Sequence, residues 1–95
     1  MAADDRAERT LQIQNELGLH ARAATKFVQL ASKFTSCLIT VTKADSEVNG
    51  KSILSLLTLM APKGTTLTIR ARGDRAEEAV AALSALIDDK FGEEK

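Results

Sequence analysis

The side chain best suited to a chemical reaction is that of His20, the single histidine. It follows Gly18-Leu19 and precedes a run with helical periodicity. Apolar residues in that run recur at the i, i+3, i+4 and i+7 spacing of a helix that buries one face, and these are Ala24, Phe27, Val28, Ala31 and Phe34. His20 is therefore predicted at or just before the N-terminus of this helix. The unpaired backbone N–H groups and the positive end of the helix dipole at that position disfavour a protonated imidazole.

A neutral imidazole is a nucleophile near pH 7. If a phosphoryl group were transferred to the ring, the N–H groups of the helix N-terminus would bind its oxygens, and the guanidinium of Arg22 would add a positive charge. The alternative is that His20 is a partly exposed residue with no chemical role. The type and position of the residue by themselves leave both interpretations open.

The string Gly18-Leu19-His20-Ala21-Arg22 resembles the active-site signature of the HPr family, the histidine-containing phosphocarrier proteins of the bacterial phosphotransferase system. The resemblance implies that His20 is phosphorylated transiently, on the ring nitrogen nearer the backbone, and that Arg22 neutralises phosphoryl charge. It also implies a donor, Enzyme I charged by phosphoenolpyruvate, and acceptors, the Enzyme IIA proteins. The commonest family pattern continues with proline where this chain has Ala23. Alanine is frequent there in members that resemble the nitrogen-regulatory branch.

Ser52 is a second candidate site, and it is predicted first as the N-cap of a helix. Lys51-Ser52-Ile53 also resembles the regulatory serine region of HPr proteins that are substrates of an ATP-dependent HPr kinase/phosphorylase. A phosphate on Ser52 would add about −1.5 to −2 charges. The helix N-terminus tolerates that charge, whereas an acidic partner would be repelled by it. Asp45 stands where a P-loop ending at Gly50 requires glycine, so that motif is excluded.

The helix that follows Ser52 is predicted to end near Met60, and it carries apolar residues on nearly every face. A short helix cannot bury all of them in one direction, so we expect an exposed apolar patch that binds a partner; the alternative is a loop that covers them. The predicted docking surface combines this patch with basic residues, and its members are Arg22, Lys26, Lys51, Ile53, Leu54 and Leu57.

The elements that must position these residues follow from periodicity. Alternating apolar and polar residues predict strands at 9–14, 37–43 and 65–72, with a weaker strand at 46–49, and helical spacing predicts helices at 21–34, about 51–60 and about 75–87. Asp74 and Glu77 are predicted to form a capping box at the last helix. One solvated sheet face with helices on the other predicts an open-faced α/β (α+β) sandwich. The HPr resemblance implies a βαββαβα order and a four-stranded antiparallel sheet in the order 1-4-2-3.

Composition limits the other functions. The 95 residues include 13 basic and 13 acidic side chains, and 44% are hydrophobic, which predicts one domain at 9–95 after a flexible tail at 1–8. Zero net charge and three phenylalanines as the whole aromatic complement argue against nucleic-acid binding. Cys37 is the single cysteine, so a buried structural role is predicted, without an intramolecular disulfide or a cysteine-based metal cluster. No metal or cofactor is expected, and the acidic pairs Asp88-Asp89 and Glu93-Glu94 are interpreted as solvated surface.

The N-terminus lacks the apolar segment of a signal peptide, and no stretch has the length of a membrane span. We therefore expect a monomeric cytoplasmic protein that is not inserted in a membrane. Three functions fit these observations: a phosphocarrier of sugar transport, a nitrogen-type regulatory phosphocarrier, and a protein-interaction module in which His20 is inert. None of them is an enzyme.

Overall fold

The computed structural model describes residues 5–95, which form a four-stranded sheet and three α-helices. In chain order the elements are β1 (Arg6–Gln12), α1 (Ala21–Ala31), β2 (Cys37–Lys43), β3 (Ser46–Asn49), α2 (Ile53–Thr58), β4 (Thr66–Gly73), α3 (Ala76–Asp88) and a final 3-10 turn (Lys90–Gly92). All strand pairs are antiparallel and the sheet order is β1-β4-β2-β3. The predicted open-faced sandwich and its strand order are confirmed.

The core lies between the helices and one face of the sheet. The inward positions of the two central strands are buried, as their alternation predicts, and they are Cys37, Ile39 and Val41 of β2 and Leu67, Ile69 and Ala71 of β4. Helix α1 covers them with Ala23, Ala24, Phe27 and Ala31, and α3 with a stripe that includes Val80, Leu83 and Ile87. Each fully buried large apolar side chain contributes roughly 1.5–3 kcal/mol to folding. This packing fixes the position of α1, whose first residue follows His20.

The first strand begins earlier than its sequence pattern predicts. Residues 6–8, assigned to a flexible tail, belong to β1 and pair with Arg70 to Arg72 of β4. Backbone hydrogen bonding to a central strand accounts for this, since it does not require the side chains to alternate in hydropathy. The strand ends at Gln12, and Ile13 continues the backbone pairing by donating to Thr65 O over 2.9 Å. Residues 1–4 of the predicted tail lie outside the described residues.

The predicted capping box of α3 is wrong. Arg75 is the N-cap, in the left-handed conformation (φ 63°), and it makes no side-chain cap hydrogen bond. The Asp74 backbone N–H instead donates to Ser36 O over 3.2 Å, which ties the turn to β2. Glu77 and Glu78 lie in the first turn, where their negative charges interact favourably with the positive end of the helix dipole. The turn before α3 is therefore fixed by a tertiary backbone hydrogen bond and not by a side-chain cap.

Two helices are shorter than predicted: α1 ends at Ala31 and α2 spans only Ile53 to Thr58. The chain after α1 continues in tight turns, with the Phe34 N–H bonded to Ala31 O. Among the described residues, no helix combines the length and apolar character needed to cross a membrane.

Candidate functional site

His20 is the N-cap residue of α1, as predicted. Its backbone is extended (φ −78°, ψ 178°), and its carbonyl accepts the hydrogen bond of Ala24 N–H at 2.8 Å. The backbone next to His20 is anchored in the core, since Leu19 is 6% exposed and Ala23 is fully buried. The Leu19 N–H also donates to Ala61 O over 2.9 Å, so the loop that carries His20 is bonded to the segment after α2.

Gly18 permits this close approach. Its φ of +70° lies in the left-handed region, and a Cβ placed there would lie 2.5 Å from Ala61 O and 2.8 Å from Pro62 Cα. Only glycine avoids both the steric overlap and the conformational strain. The Gly-Leu pair before His20 therefore has a structural explanation.

The two ring nitrogens of His20 have different partners. Nε2 lies 2.5 Å from Glu93 Oε2, and Nδ1 accepts a hydrogen bond of 3.3 Å from the Arg22 backbone N–H. A carboxylate accepts and a backbone N–H donates, so this pattern assigns the proton of a neutral ring to Nε2 and the lone pair to Nδ1. The lone pair thus points toward the first-turn N–H groups of α1. This is the nitrogen nearer the backbone, the one that the HPr resemblance implies as the acceptor.

Glu93 contacts His20 and was missed by sequence reasoning, and its assignment to solvated surface is wrong. Its side chain is 16% exposed, and its second oxygen accepts a 3.0 Å hydrogen bond from Nδ2 of the fully buried Asn15. Burial raises the pKa of the Glu93 carboxyl. The hydrogen bonds from His20 and Asn15 and the nearby positive charge of Arg22 lower this pKa by more than burial raises it, so the pKa lies below its usual range. The carboxyl is therefore ionised near neutral pH.

The C-terminal segment brings Glu93 to the ring. Lys90, Phe91 and Gly92 all have positive φ values (58°, 56° and 79°), which turn the chain back after α3. Phe91 is fully buried, and its carbonyl accepts a 2.7 Å hydrogen bond from Lys26 Nζ. His20 and Glu93 are separated by 73 residues. No periodic or local motif signals such a contact.

Arg22 lies in the first turn of α1 with an exposed side chain, beside the site. Together with Lys26, Glu93 and the C-terminal segment it lines a groove, and Glu93 connects this groove to His20. The Arg22 backbone N–H contacts His20 Nδ1, and the positive charge of Arg22 is one of the influences that lower the pKa of Glu93. The role of Arg22 in neutralising phosphoryl charge stays a prediction.

Ser52 is the N-cap of α2, as predicted. Its backbone is extended, and its Oγ accepts a 3.2 Å hydrogen bond from the Ser55 N–H. The side chain is partly buried. The serine therefore has a structural role that is independent of any modification.

The residues of the predicted docking surface differ in accessibility. Leu54 is 77% exposed, whereas Ile53 and Leu57 are partly buried against the core. Lys51 Nζ donates to Phe34 O and Cys37 O at 2.8 and 2.7 Å, so its ammonium also has an internal structural role, as does that of Lys26.

Two exposed apolar side chains that were not predicted as site residues also lie on the helical side, where the His20 loop meets the end of α2. These are Leu17, 63% exposed, and Met60, 77% exposed. An apolar residue in a polar loop beside His20 was the available signal for Leu17. We call Leu17, Leu54 and Met60 the apolar patch.

The chain is similar to known proteins along most of its length. Residues 7–89 match the family model described as "PTS HPr component phosphorylation site". The chain is 50% identical to phosphocarrier protein HPr of Neisseria meningitidis (strain Z2491) over 86 residues, 90% of this chain and 96% of that protein. It is 44% identical to phosphocarrier protein NPr of Shewanella violacea over 90% of this chain and 93% of the other.

A solved structure of HPr from Thermoanaerobacter tengcongensis is 48% identical and superposes with a TM-score of 0.89, covering 94% of this chain and 99% of that one. The fold, the position of His20 and the extent of these matches lead to one conclusion: the chain belongs to the HPr family of phosphocarrier proteins of the phosphotransferase system.

Proposed function

We propose that His20 accepts a phosphoryl group from phospho-Enzyme I and passes it to Enzyme IIA proteins. The observation that carries this proposal is the N-cap position of His20, with Nδ1 directed at the first-turn amide of α1. Family membership supports the phosphocarrier role. The chain acts as a carrier and not as an enzyme, since the group it accepts is the group it releases.

The chemistry needs few groups. The Nδ1 lone pair attacks phosphorus, the N–P bond to the phosphohistidine of the donor breaks, and the departing electron pair returns to the donor ring. The N–H groups at the start of α1 and the guanidinium of Arg22 stabilise the phosphoryl oxygens. The resulting phosphoramidate is labile enough for the reverse sequence to occur on an Enzyme IIA.

The experiment is phosphorylation with purified Enzyme I and labelled phosphoenolpyruvate. We expect acid-labile, alkali-stable label in the wild-type protein and none in His20→Ala. Arg22→Ala should retain labelling at a reduced rate, while Arg6→Ala, which removes an exposed arginine from β1, serves as the control. Label that persists in His20→Ala would refute the assignment, and a wild-type protein that Enzyme I cannot label would favour the interaction module.

Partner binding is assigned to the helical side of the molecule. The apolar patch, with Leu57, Ile53 and the basic groups of Arg22, Lys26 and Lys51, would contact Enzyme I and Enzyme IIA proteins around His20. Exposed apolar side chains beside a reactive residue favour such a role, because a partner that covers them also excludes water from the transfer.

Regulatory phosphorylation at Ser52 is part of the proposal. A phosphate there would lie at the N-terminus of α2, where the helix dipole favours negative charge, and it would repel an acidic partner that docks next to Leu54. The test is incubation with HPr kinase/phosphorylase and ATP, followed by mass analysis of wild-type and Ser52→Ala protein. Ser46→Ala is the control, since Ser46 is exposed in β3. Absence of a Ser52 phosphate under these conditions would contradict the proposal.

The nitrogen-type regulatory carrier is the second candidate. It is favoured by Ala23 in place of proline and by the 44% identity to an NPr protein. Its test is a competition between sugar-type and nitrogen-type Enzyme I as phosphoryl donors to His20. A preference for the nitrogen-type donor would assign the chain to the regulatory branch, and the opposite preference would assign it to sugar transport.

Cellular context is also part of the proposal. We expect a cytoplasmic monomer that binds neither nucleic acid nor membranes. Light scattering during gel filtration, at concentrations below and above those of the transfer assays, tests the oligomeric state.

A further inference from the structure

The contact between His20 and Glu93 has no role in the transfer scheme above. Both oxygens of the carboxylate have a donor, since Oε2 lies 2.5 Å from His20 Nε2 and Oε1 accepts from Asn15 Nδ2 at 3.0 Å. A side chain that is tied at both oxygens has one orientation. The two hydrogen bonds therefore fix the position of the carboxylate relative to the ring.

We infer that Glu93 is a positioning residue for His20: it holds the ring proton on Nε2, so that Nδ1 presents its lone pair, and it balances the positive charge of the phosphorylated ring. This inference rests on the proposed function. It assigns a role to a residue that never touches the phosphoryl group. The same arrangement, in which a carboxylate orients a reactive histidine through its other nitrogen, is a general device of catalytic triads.

Proton and charge balance support the inference. When Nδ1 forms its bond to phosphorus, Nε2 keeps its proton and the ring becomes cationic, so no proton has to leave the covered site. The charge of Glu93 offsets that of the ring. When the phosphoryl group moves on, the Nδ1–P bond breaks, its electron pair returns to Nδ1, and a neutral imidazole departs. Without the Nε2 proton the leaving group would be an imidazole anion, which is a far poorer leaving group.

The C-terminal segment keeps the carboxylate in place. Phe91 is fully buried and its carbonyl binds Lys26, while the carbonyl of Lys95 accepts a 2.9 Å hydrogen bond from the Glu16 N–H. Asn15 is fully buried and donates to Gly18 O at 2.8 Å as well as to Glu93. The loop before His20 and the segment that carries Glu93 are thus joined at Asn15 and at Glu16. Such preorganisation is what a positioning role requires.

The test compares Glu93→Gln with the wild-type protein. Glutamine keeps the shape but removes the charge, and its amide can donate to Nε2, which favours the opposite tautomer. Nitrogen-15 NMR of the neutral imidazole in the unphosphorylated protein should change from the Nε2–H pattern toward a mixed or Nδ1–H pattern. Transfer from phospho-Enzyme I and onward to Enzyme IIA should slow about tenfold to a hundredfold, the range for loss of one charge-assisted hydrogen bond.

Two variants act as controls. Glu77→Gln removes an equal charge from an exposed residue in the first turn of α3, outside the groove beside His20, and should leave both the NMR pattern and the rates unchanged. Glu93→Asp keeps the carboxylate and should restore the Nε2–H pattern in part. It also gives a second measurement if Glu93→Gln loosens the C-terminal segment, which the amide spectrum of residues 89–95 would reveal.

An Nε2–H pattern and transfer rates in Glu93→Gln that match those of Glu77→Gln would overturn the inference. So would Glu93→Asp behaving no better than Glu93→Gln. These outcomes differ from failure of the proposed function, in which Enzyme I would not label the wild-type protein. The tautomer measurement needs no phosphorylation and tests the role of Glu93 independently.

Discussion

Replacing Gly18 with alanine should destabilise the protein and displace His20 at the same time. The new methyl group would lie 2.5 Å from Ala61 O and 2.8 Å from Pro62 Cα. Both atoms are backbone, and Ala61 O is held by the 2.9 Å hydrogen bond from Leu19 N–H, so it cannot move without loss of that bond. The residue would also have to keep φ near +70°.

The cost can be divided with a matched control. Gly64 has a φ of +89°, and no atom lies within 4 Å of the position that an alanine methyl group would take there, so Gly64→Ala reports the conformational strain alone. That strain costs roughly 1–2 kcal/mol, less a fraction recovered from the stiffer unfolded chain. Gly18→Ala adds the displacement of packed backbone, about 1–3 kcal/mol. We therefore expect a free energy of unfolding about 2–4 kcal/mol lower for Gly18→Ala and about 1 kcal/mol lower for Gly64→Ala.

The assay is urea unfolding of both variants, with the rate of labelling by Enzyme I measured below the transition. In Gly18→Ala the loop must move away from Ala61, so labelling of the folded protein should also slow, whereas Gly64→Ala should be labelled at the wild-type rate. Equal destabilisation by the two substitutions, with equal labelling rates, would refute the steric argument.

Four further outcomes follow from the structure. Ser52→Ala should lower the free energy of unfolding by about 0.5–2 kcal/mol through loss of the α2 N-cap, and Ser52→Asp should retain most of that stability in urea unfolding. Lys51→Met should lower the free energy of unfolding by about 1–3 kcal/mol in the same assay, since it removes the hydrogen bonds of the ammonium to Phe34 O and Cys37 O. Leu54→Glu should raise the KM for Enzyme I without changing stability. Leu38 is 72% exposed, against 77% for Leu54, and lies on the sheet face away from the helices, so Leu38→Glu should change neither. Because the pKa of Glu93 is lowered in the fold, its contribution to stability is present above the unfolded pKa of about 4.3 and is lost as pH falls through the folded value. Acid titration should therefore show the advantage of wild type over Glu93→Gln only above that range.

Local pattern predicted much of the fold. The limits of β2 and β3 were correct, because residues 37–43 and 46–49 alternate or turn in ways that depend on near neighbours alone. The N-cap positions of His20 and Ser52 were also correct for this reason. The start of β1 was not, since Arg6 to Glu8 are strand residues only through their pairing with β4.

The candidate site divides in the same way. The sequence by itself determined which residue is the candidate nucleophile, where it lies on its helix and which family signature surrounds it, because those properties are set by residue type and short spacing. Only the tertiary structure decided which ring nitrogen is hydrogen-bonded to a carboxylate, since Glu93 contacts His20 across 73 residues of chain. It likewise decided that the ammoniums of Lys26 and Lys51 bond to backbone carbonyls of the chain itself. Contacts of this kind depend on how the C-terminal segment and the helices pack, and packing brings together groups whose separation along the chain carries no signal.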